Sequence, residues 1–257
     1  MSSIPTLKVV PESFPDAEHV TSPSLRMQGR EWRTALDWTV THLSGDLINH
    51  WPAGDGHPVL VLPGFLANGL STRCLRATLR RLGYHAYDWQ QGRNLGLRPG
   101  VEDRAHARVR DLAEEHGRAV SIVGWSLGGI YAREIARRSP DQVRQVVTLG
   151  SPFRGDHTAT RAWTAYRVLN RRHLHLSPMD AVARTARSEP LAVPTTCIYS
   201  RKDGIVAWEC CTSLPAPRTE NVEVNSTHLG YAHHLKTLYV VADRLAQPEG
   251  TWRPFEG

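Results

Sequence analysis

The chain has 257 residues, of which 40% are hydrophobic, and this composition supports the buried core of one large domain or two small ones. With such a core we expect neither a disordered nor a collagen-like chain. Four cysteines, two of them adjacent, are too few to staple a chain of this length, so we expect no disulfide scaffold either. The net charge of +6 does not indicate nucleic-acid binding, because the basic residues are scattered among 25 acidic ones without a recognition motif.

No stretch approaches the roughly 20 apolar residues that cross a bilayer. The first residues, MSSIPTLKVVPESFPDAEHV, also lack the basic-then-apolar layout of a cleaved signal. We therefore expect a soluble, cytoplasmic protein with no transmembrane segment.

The N-terminal part divides into two predicted segments. Residues 1–28 contain four prolines and little periodicity, which predicts an irregular arm preceding a single domain over residues 29–257. In residues 30–44, Trp32, Leu36 and Val40 fall on one helical face, and this spacing predicts a helix that covers a core.

The rest of the chain alternates between short apolar runs and amphipathic stretches. This alternation predicts an α/β fold with a doubly wound, mostly parallel sheet and helices on both faces. Strands are predicted over residues 57–65 (ending at a Pro-Gly pair), 84–89, 119–123, 143–149, 195–200 and 221–224, and helices over residues 71–82, 101–116, 127–138 and 233–246.

The pattern Gly-x-Ser-x-Gly stands at residues 124–128, between a predicted strand and a predicted helix. In that context a tight turn would hold Ser126 in a strained conformation above the edge of the sheet. A side chain at Gly124 or Gly128 would crowd such a turn. The start of the following helix adds a positive potential beside a developing anion, so we interpret Ser126 as a nucleophile.

Five segments stand in order along residues 58–246: Leu62-Pro63-Gly64-Phe65, Gly124-Trp125-Ser126-Leu127-Gly128-Gly129, Leu149-Gly150-Ser151-Pro152-Phe153-Arg154-Gly155, Ser200-Arg201-Lys202-Asp203-Gly204-Ile205-Val206 and Thr227-His228-Leu229-Gly230. With these segments the chain resembles the α/β-hydrolase superfamily, and more narrowly its bacterial lipase-like and GPI-inositol-deacylase-like esterases. The resemblance implies the α/β-hydrolase fold and a Ser-Asp-His triad.

Thirteen histidines compete for the role of the base that activates Ser126. His228 is favoured by the resemblance and by its place in a loop after the predicted strand at residues 221–224, with His233 and His234 as the main rivals. Asp203 directly follows the predicted strand at residues 195–200, where the resemblance places the acid. The alternatives for the acid are Asp180 and Asp88.

The oxyanion of a tetrahedral intermediate needs preorganised donors. The turn predicts the backbone amide of Leu127 as one donor, and the resemblance implies the amide of Phe65 as the other. Lipases of this kind carry a histidine before the glycine of that loop, whereas this chain has Pro63.

A long insert, residues 153–190, separates two predicted strands. Its apolar residues could form a helical cap over the serine, in which Trp163 and Leu169 contact an acyl chain, or a helix pair that covers a sheet edge. The other candidate cap residues are Tyr166, Val168, Leu174 and Leu176. Trp125, beside the nucleophile, is the third expected substrate contact.

We expect no metal and no organic cofactor, because vicinal Cys210 and Cys211 make a poor tetrahedral site and are interpreted as buried thiols. The function predicted is a serine hydrolase of carboxylic esters, acting through an acyl-enzyme on a small-molecule or lipid ester. Acyltransferase, thioesterase and amidase chemistry would use the same triad, and a non-catalytic binding protein on this fold is a further alternative. Oligomeric state and acyl chain length do not follow from the sequence.

Overall fold

The computed structural model describes residues 17, 20–96, 98–155, 159–173 and 188–256. Six strands form one sheet in the order β2-β1-β3-β4-β5-β6, and every neighbouring pair is parallel. The strands are β1 (Pro58–Leu62), β2 (His85–Asp88), β3 (Val120–Trp125), β4 (Val143–Leu149), β5 (Thr195–Tyr199) and β6 (Thr219–Glu223).

Helices connect the strands and lie on both faces of the sheet. The predicted helices at 101–116 and 127–138 agree with the structure at both ends, and those at 71–82 and 233–246 differ by one or two residues. The helix predicted over residues 30–44 begins at Thr34, after a 3-10 turn at Glu31–Arg33. The helices are α1 (Leu25–Gln28), α2 (Thr34–Leu43), α3 (Gly45–Ile48), α4 (Arg73–Arg81), α5 (Val101–His116), α6 (Leu127–Arg138), α7 (Trp163–Asn170) and α8 (Leu235–Leu245); 3-10 turns are present at Glu31–Arg33, Pro140–Gln142 and Trp208–Cys211.

The alternation of side chains along β1 shows how the core is divided. Val59 and Val61 pack into a cluster with residues of α4 and α8, whereas Leu60 and Leu62 pack into a second cluster with residues of α5 and α6. All four side chains are fully buried because helices cover both faces of the sheet. The predicted doubly wound, mostly parallel sheet with helices on both faces is therefore confirmed.

The winding direction reverses at β1. The connection from β1 leads outward to β2, and the next connection returns across to β3 on the other side of β1. Loops at the carboxyl ends of β1 and β3 therefore diverge, and in sheets of this kind ligands bind in the crevice that such divergence opens.

The described part of the predicted N-terminal arm lies against the domain. Residues 25–28 form the short helix α1, and Arg161 donates a hydrogen bond to the carbonyl of Pro23. The domain boundary after residue 28 stays a prediction.

The prediction that the apolar face of residues 30–44 covers a core is wrong. Trp32, Leu36 and Val40 are 67%, 53% and 51% exposed. The opposite, polar face packs on the domain: Thr41 is buried and donates a hydrogen bond to the carbonyl of His233. That part of the domain surface presents backbone polar groups, which hydroxyl side chains satisfy and aliphatic side chains cannot.

None of the helices in the described part of the chain is long and apolar enough to cross a membrane.

A buried polar cluster lies at the amino ends of the strands, away from the crevice. His57, fully buried before β1, places Nε2 2.7 Å from Ser121 Oγ and Nδ1 against Asp55. Asp55 also accepts hydrogen bonds from Arg118 (2.6 Å) and Arg144 (2.9 Å). Burial lowers the pKa of His57 to about 4, in spite of the opposing effect of Asp55, so the folded protein keeps this imidazole neutral at pH 7.

This environment makes stability depend on pH. The unfolded chain protonates His57 below about pH 6.5, whereas the folded chain does so only near pH 4. The free energy of unfolding should therefore fall by about 3 kcal/mol through this group as the pH drops across that window. Urea unfolding at pH 7.0, 5.5 and 4.5 should show that the free energy of unfolding falls less steeply with decreasing pH in His57→Gln than in the wild type. Burial also lowers the pKa of His234 to about 4, but that contribution is common to both proteins.

Exposed His50 provides the matched control, and His50→Gln should keep the wild-type pH dependence. Equal declines in the His57→Gln and wild-type proteins would contradict the assignment of this titration to His57.

Candidate active site

Ser126 lies in the sharp turn that joins β3 to α6. Its backbone has φ 52° and ψ −120°, a conformation that non-glycine residues rarely adopt. Its amide donates a 2.8 Å hydrogen bond to the carbonyl of Leu149 in β4, and its carbonyl accepts one from Gly129. The turn thus presents a partly exposed Ser126 side chain at the carboxyl edge of the sheet.

The glycines of the motif allow the backbone to close this turn. A Cβ at Gly124 would lie 2.4 Å from the Cα of Gly129, and one at Gly128 would lie 2.3 Å from the carbonyl oxygen of Leu62. Both obstacles are backbone atoms that cannot rotate away. The predicted crowding at these two positions therefore agrees with the structure.

The structure brings the three residues of the predicted triad together. His228 Nε2 lies 3.0 Å from Ser126 Oγ, and His228 Nδ1 lies 2.6 Å from Asp203 Oδ2. Asp203 Oδ1 accepts hydrogen bonds from the amides of Ile205 (2.9 Å) and Val206 (2.8 Å). Because Asp203 and His228 are both nearly fully buried, this line of hydrogen bonds is shielded from water.

The surroundings of His228 favour its protonated form. Burial alone would lower the pKa of this imidazole, but the carboxylates of Asp203 and Glu31 reverse that effect and raise it above its ordinary value. Tyr231 packs edge-on against the ring, with its centroid 6.0 Å away. This environment is suited to an imidazole that must carry a positive charge for part of a reaction.

The other residues considered as base or acid are engaged elsewhere or lie outside the described residues. His234 caps the start of α8 by accepting a hydrogen bond from the amide of Thr237, and the carbonyl of the preceding His233 binds Thr41. Asp88 packs against Gly69. Asp180 lies outside the described residues.

The loop after β1 approaches the nucleophile. A Cβ on Gly64 would lie 3.1 Å from the Cβ of Ser126, which places the following residue, Phe65, beside the serine. Within the described residues, the amides of Phe65 and Leu127 donate no hydrogen bond to any protein group. Both amides are therefore free to bind an oxyanion.

Asn94 holds this loop in place, and the sequence reasoning missed it. The side chain is fully buried and donates a 2.8 Å hydrogen bond to the carbonyl of Pro63. The backbone carbonyl of Asn94 accepts a 2.7 Å hydrogen bond from the amide of Leu66, and the backbone amide of Asn94 donates one to the carbonyl of Ala67. A lone asparagine in a loop carries no sequence signal for these contacts.

The insert contributes one aromatic side chain to this edge of the site. Tyr166 on α7 packs against Phe65, with ring centroids 5.2 Å apart, and stacks on Trp163 at 5.7 Å. Leu169 is 45% exposed. The predicted cap residues Leu174 and Leu176 lie outside the described residues.

Trp125 faces inward rather than toward the mouth of the site. Its indole is buried and donates a 3.0 Å hydrogen bond to the carbonyl of His228. It thereby supports the histidine loop. Substrate contacts of Trp125, Trp163 and Leu169 stay predictions.

The cysteines show no sign of a metal site. The side chains of Cys197, Cys210 and Cys211 are buried, and burial raises the pKa of Cys211 well above its ordinary value. Across the part of the chain that the structure describes, no group of three or more His, Cys, Asp or Glu side chains is arranged to hold a metal ion.

Comparison with solved structures supports the fold. Aspergillus fumigatus lipase B superposes with a TM-score of 0.58 at 16% identity, over 78% of this chain and 55% of that one, so this chain spans about half of that lipase. A structure from work on LipS and LipT, two metagenome-derived lipolytic enzymes, superposes with a TM-score of 0.59 at 17% identity, over 76% of this chain and 94% of that one. A Paleococcus ferrophilus monoacylglycerol lipase superposes with a TM-score of 0.53 at 14% identity, over 76% of this chain and 97% of that one.

At these identities the structural likeness shows the fold alone. No curated protein matches the chain by sequence, and the narrower likeness to GPI-inositol-deacylase-like esterases stays a prediction. Residues 59–253, however, match the sequence model of the alpha/beta hydrolase family, a region that contains β1 to α8 and all three residues of the Ser126 hydrogen-bond line. The chain therefore belongs to the alpha/beta hydrolase family.

Proposed function

We propose that the protein is a serine hydrolase that cleaves carboxylic esters through an acyl-enzyme intermediate. The observation that carries this proposal is the continuous hydrogen-bond line from Ser126 through His228 to Asp203. An isolated serine hydroxyl is a poor nucleophile, but a neutral imidazole 3.0 Å away can take its proton as it attacks.

In the proposed reaction, Ser126 Oγ attacks the ester carbonyl while His228 Nε2 accepts the hydroxyl proton. Asp203 orients the imidazole and stabilises the imidazolium that forms. The amides of Phe65 and Leu127 bind the oxyanion, and each such donor typically contributes about 3 kcal/mol. His228 then protonates the leaving alcohol, and an activated water releases the acid from Ser126.

The substrate that we propose is a small-molecule or lipid ester. Structural neighbours described as lipases and a lipolytic enzyme support this class, as does the aromatic pair Tyr166–Trp163 beside the loop of Phe65. Acyl transfer to an alcohol or thiol would share the first half-reaction, as would thioesterase and amidase chemistry. The cytoplasmic location and the absence of nucleic-acid binding stay predictions.

Fluorophosphonate labelling tests the site without knowledge of the natural substrate. The reagent mimics the tetrahedral intermediate, so mass mapping should place the adduct on Ser126 alone. The labelling rate should rise with pH through the titration of His228, with a midpoint above about 6.5, because carboxylates raise the pKa of this histidine. His228→Ala should abolish labelling, and Asp203→Asn should slow it less.

The exposed-histidine variant His50→Gln should label like the wild type. If the folded wild-type protein stayed unlabelled between pH 7 and 8, the serine-esterase proposal would have to be withdrawn and only the family would remain.

The strained turn gives a second prediction. A non-glycine residue in the conformation of Ser126 costs roughly 1–3 kcal/mol, which glycine would relieve in part. Ser126→Gly should therefore be about 1 kcal/mol more stable to urea than Ser126→Ala, which removes the same hydroxyl but keeps the strain. At Ser44, where φ is −93°, the same pair should show the opposite order, with alanine the more stable. If alanine were the more stable replacement at both serines, the turn at Ser126 would not be strained.

The insert gives a third prediction, measured on p-nitrophenyl esters of increasing chain length. If α7 lines the acyl site, Trp163→Ala and Leu169→Ala should each lower the long-chain to short-chain ratio of kcat/KM. Each missing methylene contact should lower this ratio by about tenfold or more. Thr164→Ala, at an exposed position on the same helix, should leave the ratio unchanged. Unchanged ratios in both test variants would favour an insert that only covers a sheet edge.

A further inference from the structure

Glu31 is a buried carboxylate outside the region that matches the family model. It begins the 3-10 turn Glu31–Arg33, before β1, and its relative exposure is only 9%. Buried carboxylates require compensating hydrogen bonds, because removal of a charge from water is costly. The groups that compensate Glu31 therefore indicate what it does.

Three backbone amides bind this carboxylate. Oε1 accepts hydrogen bonds from Gly204 and His228, both at 3.0 Å, and Oε2 accepts one from Leu229 at 2.9 Å. Gly204 directly follows Asp203, while the other two amides belong to His228 and its neighbour. One side chain therefore ties the loop of the acid to the loop of the base.

These contacts require a group that only accepts hydrogen bonds. Among the described residues, the three amides have no other acceptor. Glutamine would offer one oxygen and an NH₂ group, so at least one amide would meet a donor. Bonds from amides to an ionised carboxylate are also stronger than bonds between neutral groups.

The chain around Glu31, from Met27 to Thr34, holds this carboxylate against the two loops; we call it the N-terminal segment. A Cβ on Gly204 would lie 2.7 Å from the carbonyl oxygen of Met27, so the segment passes in close contact with the acid loop. Thr34 Oγ1 lies 3.1 Å from Thr227 Oγ1, directly before the catalytic histidine. The segment therefore rests on both loops.

We propose that Glu31 is a positioning residue, whose carboxylate holds the Asp203 and His228 loops in register for the transfer of the Ser126 proton. This inference rests on the proposed function. Glu31 binds the backbone amides of Gly204, His228 and Leu229, so it acts on the proton transfer through the positions of the two loops. Part of the catalytic arrangement is thus supplied by a segment that precedes the family domain.

The charge of Glu31 acts on the same imidazole. Together with Asp203 it raises the pKa of His228, against the effect of burial. Tyr231 is a further titratable group against the ring. Three cations, Arg30, Arg33 and Lys202, line a small cavity with Asp37 and Thr227 beside the histidine loop.

The test compares fluorophosphonate labelling of Ser126 across pH 5–9 in the full-length wild type and in Glu31→Gln. We expect the limiting rate to fall by roughly tenfold to a hundredfold, as for displacements of about 1 Å in a reacting group. The midpoint should also move to lower pH, because the imidazolium loses one nearby negative charge. Glu31→Asp keeps the charge with a shorter reach, so its midpoint should stay closer to that of the wild type.

Two control variants separate the carboxylate from the packing of the segment. Thr34→Val removes an uncharged contact between the same segment and the histidine loop, and Asp46→Asn removes an exposed carboxylate nearby in the sequence. Neither should shift the midpoint. A shift in Thr34→Val equal to that in Glu31→Gln would overturn the proposal, because loosening of the segment would then explain both.

The outcomes also separate this proposal from the function on which it rests. An unlabelled wild type would remove the serine-hydrolase proposal itself. A labelled wild type with an unchanged rate and midpoint in folded Glu31→Gln would overturn the role of Glu31 alone. If circular dichroism showed Glu31→Gln to be unfolded, Glu31→Asp would decide, and a wild-type labelling rate in that variant would count against the proposal.

Discussion

The pairing of β3 between β1 and β4 is the constraint on which the site depends. Gly124 is paired with Leu62 on one side and with Thr148 on the other, so the end of β3 is fixed in register with both neighbours. The amide of Ser126 extends this pattern by one further hydrogen bond to Leu149. A slip of one residue would turn every side chain of β3 toward the opposite helix layer, where it does not fit the packing. The register is therefore fixed, and the strained turn begins at a defined height above the sheet.

The loops around that turn are fixed by polar contacts rather than by apolar packing. Asn94 donates a hydrogen bond to the loop of Phe65, Trp125 donates one to the carbonyl of His228, and Glu31 accepts hydrogen bonds from the loops of Asp203 and His228. Backbone groups in buried loops must find partners, and each of these side chains satisfies such groups. The end of β3 thus sets the position of Ser126, and these three side chains fix the loops around it.

The sequence was sufficient for the features that depend on local patterns. Hydrophobic periodicity located the six strands and the helices α4, α5, α6 and α8. The Gly-x-Ser-x-Gly turn, with the resemblance, selected Ser126, Asp203 and His228, which the structure brings together. It was not sufficient for Glu31 and Asn94, because their partners are backbone amides and carbonyls distant in sequence, which leave no trace in residue type. The prediction that the apolar face of α2 covers a core failed for a related reason. Periodicity shows which residues share a face of the helix, but not whether the domain surface beneath presents methyl groups or backbone polar groups that need partners.

Two buried histidines, His57 at the amino edge of the sheet and His228 at the carboxyl edge, show how strongly neighbouring charged groups change the pKa of an imidazole. Burial dominates at His57, where it lowers the pKa to about 4, and the arginines that share Asp55 weaken the support from that carboxylate. At His228 burial acts in the same direction, yet the carboxylates of Asp203 and Glu31 outweigh it and raise the pKa. The sign of the shift therefore follows from how many carboxylates face the ring without a competing cation. At His228 Asp203 contributes most of the opposing effect and Glu31 adds to it, whereas at His57 the charges of Arg144 and Arg118 oppose the single carboxylate of Asp55.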